Sequence, residues 1–371
     1  MPSIPSVIHA RLLGASLLLG VLALAGCSQG TPSTATSAPA TSAPAAAPVA
    51  SPTVSVPAKF AAGGVRVALV RQLSSGDYFE QWLAGAQAEA QALKVTLEVS
   101  SGDGNNDKQA LNLEQAVQQK ADAIIVDHGF ADTVQPAIKK AADAGIPLVA
   151  FDVDPGTPKA VALTQDDHKI AELALGALKA DTGGTGEVVY VYVSGFAPLD
   201  RRNEVWTTFK KDNPGIKEVA QIGVVNNSTA SAVADQAKAT LQANPNVKAI
   251  FAPYDEFAKG AAIAVKELGL QDKVKIYGAD ISTADIGVIT EPNSPWVATA
   301  TTDPSNVGRI AVRAAALLVA GEQVEPEIKI PPALVTQKQL VDGKIANIEQ
   351  LTTAIPELTT PDVAPVPWAV P

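Results

Sequence analysis

VRVALVRQLSSGDYFEQWLAGAQAEAQAL, residues Val65–Leu93, carries the pattern on which the rest of the chain is built. It starts with a short apolar run, Val65, Val67, Ala68, Leu69 and Val70, which has the composition of a buried strand. Small and polar residues from Gln72 to Asp77 follow. Then Phe79, Trp82, Leu83, Ala86, Ala90 and Leu93 recur close to the 3.6-residue period of an amphipathic helix. Strand, loop and helix in that order form half of a βαβ unit, from which parallel sheets are assembled. Ligands of open α/β sheets sit in the crevice beyond the carboxyl ends of the strands. The loop Ser74–Phe79 therefore belongs to such a crevice, with the rings of Tyr78 and Phe79 beside it.

The unit repeats. Val95–Val99, Ala123–Asp127 and Pro147–Phe151 read as strands, separated by helices over Asn105–Gln119 and Asp132–Ala144, the latter ended by Gly145. These runs are continuously apolar, as expected where helices cover both faces of a parallel sheet. After Val161–Leu163 the rhythm restarts. Strands Glu187–Ser194, Glu218–Val225, Lys248–Ala252, Val274–Ala279 and Val297–Thr301 alternate with helices Asp167–Ala180, Asp200–Lys211, Ala230–Ala243, Glu256–Leu268 and Ser305–Ala320. The fold class this predicts is α/β, with two Rossmann-like lobes facing each other across a cleft.

The ends have a different composition. His9 and Arg11 precede an apolar run, Leu12 to Ala25, too short to span a bilayer and suited to a secretory signal. It ends in Leu24-Ala25-Gly26-Cys27, which resembles the bacterial lipobox, so residues 1–26 are expected to be a signal peptide and Cys27 the lipidated residue. Diacylglycerol on the thiol plus an amide-linked acyl chain would give a stable membrane anchor. Residues 27–63 are nearly all Ser, Thr, Ala, Pro and Gly and are expected to form a disordered tether. A Pro-rich tail, 351–371, is expected to lie extended on the surface. A net charge of −10, with no element concentrating Lys and Arg, argues against nucleic acid as a partner.

The motifs KADAIIVD (120–127), AGIPLVAFD (144–152), IFAPYDEFAKGA (250–261) and VKIYGAD (274–280), in this order and spacing, resemble those of the type I periplasmic binding proteins. This is the ribose- and galactose-binding group related to the sensor domains of LacI-type repressors. The resemblance implies a three-crossover hinge, with an N-lobe of 64–165 and 303–331 and a C-lobe of 166–302 and 332–350. It also implies a solute-binding protein of an ABC importer: a monomer that captures a monosaccharide or polyol by lobe closure and hands it to permease subunits, with neither cofactor nor metal. Carried over residue by residue, the family's pocket falls on Tyr78 and Phe79, on Asp127 where ribose binders have Asn, on Asp152, on Arg202 with Arg201 a close rival, on Tyr254 in place of an asparagine, on Asp280, and on Thr302 in place of a hinge-side glutamine.

The chemistry of these residues suits hydroxyl-rich ligands. Carboxylates such as Asp152 and Asp280 accept hydroxyl protons, and Arg202 offers a planar donor fork. Trp206 lies four residues after Arg202 and could reach the cleft on the same helix face, although the spacing also suits a helix-core residue. His128 is the one imidazole near the crevice. Tyr254 and the extra carboxylate of Asp127 leave a nucleoside or an amine-bearing cyclitol as the alternative ligand, and a sugar sensor for a membrane receptor as the alternative role. No base–nucleophile spacing supports catalysis by Asp127, Asp152, Asp280 and His128. Asp103, Asn105, Asp107 and Glu114 have EF-hand-like spacing, but Lys108 stands where that loop requires glycine.

Overall fold

A computed structural model describes residues 55–368; the signal-like segment and Cys27 lie outside them. Helix α1 (Ala58–Ala62) precedes strand β1 (Arg66–Arg71), α2 (Asp77–Ala92), β2 (Thr96–Ser101), α3 (Asn106–Gln118), β3 (Ala123–Asp127), α4 (Ala131–Asp143), β4 (Leu148–Phe151) and β5 (Ala160–Gln165). The second run comprises α5 (Asp167–Thr182), β6 (Gly186–Val191), α6 (Ala197–Asp212), β7 (Ile216–Ile222), α7 (Thr229–Ala243), β8 (Val247–Ala252), α8 (Asp255–Glu267), β9 (Lys275–Ala279), α9 (Thr283–Thr290) and β10 (Trp296–Thr301). Then come α10 (Pro304–Ala320), β11 (Glu327–Ile330), β12 (Ala333–Thr336), α11 (Gln337–Asp342) and α12 (Ile348–Ala354).

The strands form two six-stranded sheets, ordered β11-β5-β4-β3-β1-β2 in the first lobe and β12-β10-β9-β8-β6-β7 in the second. The chain therefore changes lobe after Gln165, after Thr301 and between Ile330 and Ala333. All pairings are parallel except that of β12 with β10, which is antiparallel. Central strands are buried on both faces. In the first lobe Val67, Leu69, Ile125 and Val149 pack on one side with α10 residues such as Ile310, while Ala68, Val70, Ile124 and Leu148 pack on the other with α4 residues such as Ile138. The two-residue period is hidden because both faces are apolar. Edge strand β2 is different: it is largely open to solvent, with Val99 exposed.

Helices α2 and α10 pack almost backbone to backbone. A Cβ added at Gly308 would lie 2.1 Å from the Trp82 carbonyl oxygen, and one at Gly85 would lie 2.0 Å from that of Ser305. Neither obstacle is a mobile side-chain tip, so Gly308→Ala must push the helices apart. The expected loss is about 1–3 kcal/mol of stability, visible as a lower urea midpoint with an unchanged slope. An unchanged midpoint would contradict this packing.

The ends depart from the sequence reading. Part of the expected tether is folded: Phe60 in α1 is 1% exposed, its ring 5.4 Å from that of Trp368. It is the one large apolar side chain in a run of small ones, and burying it offsets the cost of ordering its neighbours. The Pro-rich tail is not merely extended on the surface. Leu358, in a 3₁₀ turn over Pro356–Thr359, enters the second lobe's core, and Trp368 enters the first lobe's. The tail thus passes once more between the lobes, tied on the way by Asn306 Nδ2, which donates to the Leu358 carbonyl and to Thr360 Oγ1.

Candidate functional site

The carboxyl ends of both sheets face one cleft. Three residues just past the strands hold left-handed backbone there: His128 (φ 59°), Asp152 (φ 50°) and Asp280 (φ 67°). Each backbone N–H donates to the neighbouring strand, to Phe151, Leu163 and Ala300 respectively, which pins the residue at the sheet's rim. Non-glycine residues in this region cost roughly 1–3 kcal/mol each and concentrate at ligand sites.

The cleft is narrow in this structure, with about 40 Å³ of free space left between the lobes. Its polar lining is Gln72, His128, Gln165, Arg202 and Asp280, together with the hydroxyl-bearing rings of Tyr78 and Tyr254. Leu73, Phe79, Phe196, Pro198, Leu199 and Val225 make the rest apolar. Several buried polar atoms around it lack a partner among the described residues: the Tyr78 hydroxyl, Gln72 Oε1 and Asp152 Oδ2. Such atoms are costly unless something satisfies them. The lobes already touch across the cleft. Arg201 Nη2 reaches Asp152 Oδ1 at 2.8 Å, Ser75 Oγ donates to Asn227 Oδ1 at 3.2 Å, and the Phe130 and Phe196 rings lie 4.8 Å apart.

Charge is held in a chain of buried pairs. Arg202 donates from Nη1 and Nη2 to the two oxygens of Asp280 at 2.8 and 3.0 Å, and from Nε to Asp167 at 2.9 Å. Burial opposes the arginine's charge, but Asp280 and Asp167 outweigh it and raise its pKa. Burial would likewise lift Asp127, yet Arg71, with Nε 2.7 Å away, and His128 hold it below the usual carboxylate value. For His128 burial favours the neutral ring, but the bond to Asp127 at 2.7 Å wins and its pKa is raised. Asp152 goes the other way. Burial and the like charge of Asp167 push it up to about 7, against Arg201, His128 and Arg202. Burial, with Asp280 and Asp152 nearby, drives the Tyr78 phenol well above its ordinary value.

Of the residues expected from sequence, Tyr78, Phe79, His128, Arg202, Tyr254 and Asp280 line the cleft together. Trp206 does not. One helical turn beyond Arg202 it lies beneath the sheet, 1% exposed, against Tyr190 and Phe251, with Nε1 donating to Glu218. A four-residue step along α6 advances about 6 Å away from the cleft, and that depth is core. Asp127 sits behind the wall, consumed by Arg71 and His128. Thr302 also sits behind it, donating from Oγ1 to Gln165 Oε1. Asp152 stands at the rim with one oxygen on Arg201 and its other oxygen 4.0 Å from His128 Nε2. Of the two rival arginines, Arg202 faces the cleft and Arg201 bridges Asp167 and Asp152. Gln72, Leu73, Gln165, Phe196, Pro198, Leu199 and Val225 were not foreseen. Gln72, Leu73 and Gln165 immediately follow or end a strand, which is the positional signal that could have found them.

Comparison with known proteins agrees with this geometry. Residues 67–323 match the periplasmic binding protein domain. The ribose import binding protein of Bacillus subtilis is 26% identical over 268 residues, covering 70% of this chain and 84% of that protein. A 5-methylthioribose transporter solute-binding protein from Thermotoga lettingae, solved with 5-methylthioribose bound, is 44% identical and superposes with a TM-score of 0.78, over 79% of this chain and 93% of that one. A sugar ABC transporter protein from Yersinia enterocolitica is 28% identical with a TM-score of 0.82, over 86% of this chain and 97% of that one.

Proposed function

The chain belongs to the periplasmic binding protein family, and from that premise we propose that it captures 5-methylthioribose, or a close pentose with an apolar 5-substituent, for an ABC importer. The observation that carries this reading is the mixed lining of the cleft, polar groups together with an apolar set. Asp280, Arg202, Gln165 and His128, with the unpartnered Tyr78 hydroxyl, suit a ring bearing hydroxyls. Leu73, Phe196, Pro198, Leu199 and Val225 suit a group that needs no hydrogen bond. Tyr254 stands where the resemblance puts an asparagine, so an amide is replaced by a ring. A thioether is polarizable and packs well on aromatic edges. A free 5-hydroxyl in the same place would lose its water partners at a cost of about 1–3 kcal/mol.

The 44% identity to a protein bound to this sugar supports the same assignment. Closure would be driven by the ligand's greater affinity for the closed arrangement, whose inter-lobe contacts include Arg201–Asp152 and Lys259–Asp77. Delivery to permease subunits, anchoring through Cys27 and a monomeric state belong to this proposal, supported by the family and by the signal-like sequence.

Titration calorimetry with 5-methylthioribose, ribose, ribitol and adenosine tests it. 5-Methylthioribose should bind tightest, with ribose weaker by about 10- to 100-fold. Equal affinity for ribose would remove the apolar-substituent reading and leave the sugar class. Binding of adenosine alone would overturn the class.

A further inference from the structure

Gln165 ends β5, at the point where the chain first leaves one lobe for the other, and Thr302 follows β10, where it returns. Both are buried, at 3% and 0% exposure, and the Thr302 hydroxyl donates to Gln165 Oε1 at 2.6 Å. The Asp280 carboxylate only accepts, so the amide presents Nε2 to it and leaves Oε1 to accept from the Thr302 hydroxyl. With Oε1 taken up at the hinge, Nε2 is turned toward Asp280 Oδ1, 3.4 Å away. This contact is long, and Asp280 Oδ1 already accepts from Arg202 Nη2 at 3.0 Å. The second N–H of Gln165 has no partner among the described residues, and Gln165 lines the cleft.

We propose that Gln165 is a specificity residue of the sugar site and Thr302 its positioning residue, together requiring that the ligand place a hydroxyl between Gln165 and Asp280. The proposal rests on the reading of the cleft as a sugar site. A carboxylate only accepts and an amide N–H only donates. Set 3.4 Å apart, the two complete a ligand hydroxyl in both directions: it gives its proton to Asp280 and receives one from Gln165. A flipped amide would turn its carbonyl toward the carboxylate and offer the ligand two acceptors. The Asp280 carboxylate disfavours that flip, and the Thr302 hydroxyl anchors the other end of the amide. The resemblance placed a ligand contact at Thr302 itself. Its side chain instead lies buried behind the cleft and donates to Gln165, which lines the cleft from the adjacent crossover.

The test is calorimetry with 5-methylthioribose on the full set of variants. Gln165→Leu should weaken binding 10- to 100-fold, Thr302→Val about 10-fold, and Thr302→Ser, which keeps the hydroxyl, hardly at all. In the Gln165→Leu background Thr302→Val should cost nothing further, because its only route to the ligand is gone. If Gln165→Leu does not fold, Gln165→Glu replaces the donor with an isosteric acceptor beside Asp280 and should lose at least as much. Wild-type binding by Gln165→Leu or Gln165→Glu, or an undiminished Thr302→Val penalty in the double variant, would overturn the proposal. If the wild-type protein ignores 5-methylthioribose but binds ribose or ribitol, the ligand assignment fails and the same variants are read with that sugar. If it binds none of them, both readings fall.

Discussion

Arg202→Met is expected to lower the free energy of unfolding by about 3–5 kcal/mol and to abolish sugar binding, the larger effect being on stability. The guanidinium is 2% exposed and spends its donors on Asp167, on both oxygens of Asp280 and on the Pro253 carbonyl. Asp167 keeps Arg201 when Arg202 is removed, but Asp280 keeps only the long contact from Gln165 among side chains. The cost is that of a buried carboxylate stripped of its charge partner. Replacing a buried ion pair by apolar groups is often close to neutral, so Arg202→Met combined with Asp280→Leu should recover most of the stability and none of the binding. Urea unfolding and calorimetry on the three proteins separate the two roles. A single variant within about 1 kcal/mol of wild type would mean that the pair is not holding its own desolvation in balance.

Asp127, Asp152 and Asp280 look alike in the sequence, each closing an apolar run, and that position did locate the cleft. What separates them is the cation each meets. Arg71 comes from β1, Arg201 and Arg202 from one turn of α6, and no local pattern ties these arginines to particular strand ends. Hence Asp127 is spent inside the wall and Asp280 faces the cleft. The βα rhythm was legible because both faces of the central strands are apolar. The lobe changes were not legible in periodicity, because β11 pairs with β5, far earlier in the chain, while β12 turns back to pair antiparallel with β10. Helix α9 escaped because Gly287 and its β-branched residues are poor helix formers. Its signal was the capping box of Ser282 with Asp285. Trp206 illustrates the limit of helical spacing: a shared face says nothing about depth along the axis.

Raising the pH from 5 to 8 is expected to destabilise the ligand-free protein, with Asp152 one of two buried carboxyls responsible, beside Asp255, which burial and Asp285 raise well above the usual carboxylate range. The Asp152 carboxyl is fully buried. It faces Arg201 and Arg202 on α6, His128 at the end of β3, Asp167 on α5 and Tyr78 on α2. Burial and Asp167 prevail over the three cations and push its pKa up to about 7 from an ordinary 3.8. Between those values the folded protein holds a proton that the unfolded chain has released, so stability falls as pH rises and the whole contribution is lost above about 7. About two of those pH units lie between 5 and 7, so at 1.36 kcal/mol each the loss across this range is of order 3 kcal/mol. Asp285, pushed up to about 6 by burial, adds in the same sense, as does His128, whose raised pKa stabilises only while the ring is charged. Asp127 is shifted the opposite way, and its effect lies below this window. Asp152→Asn is neutral in both states and should make the profile shallower, with its gain over wild type growing from pH 5 to 7. Parallel profiles for the two proteins would place the titration elsewhere. A shallower profile would place the proton on Asp152, whose Oδ2 has no partner among the described residues.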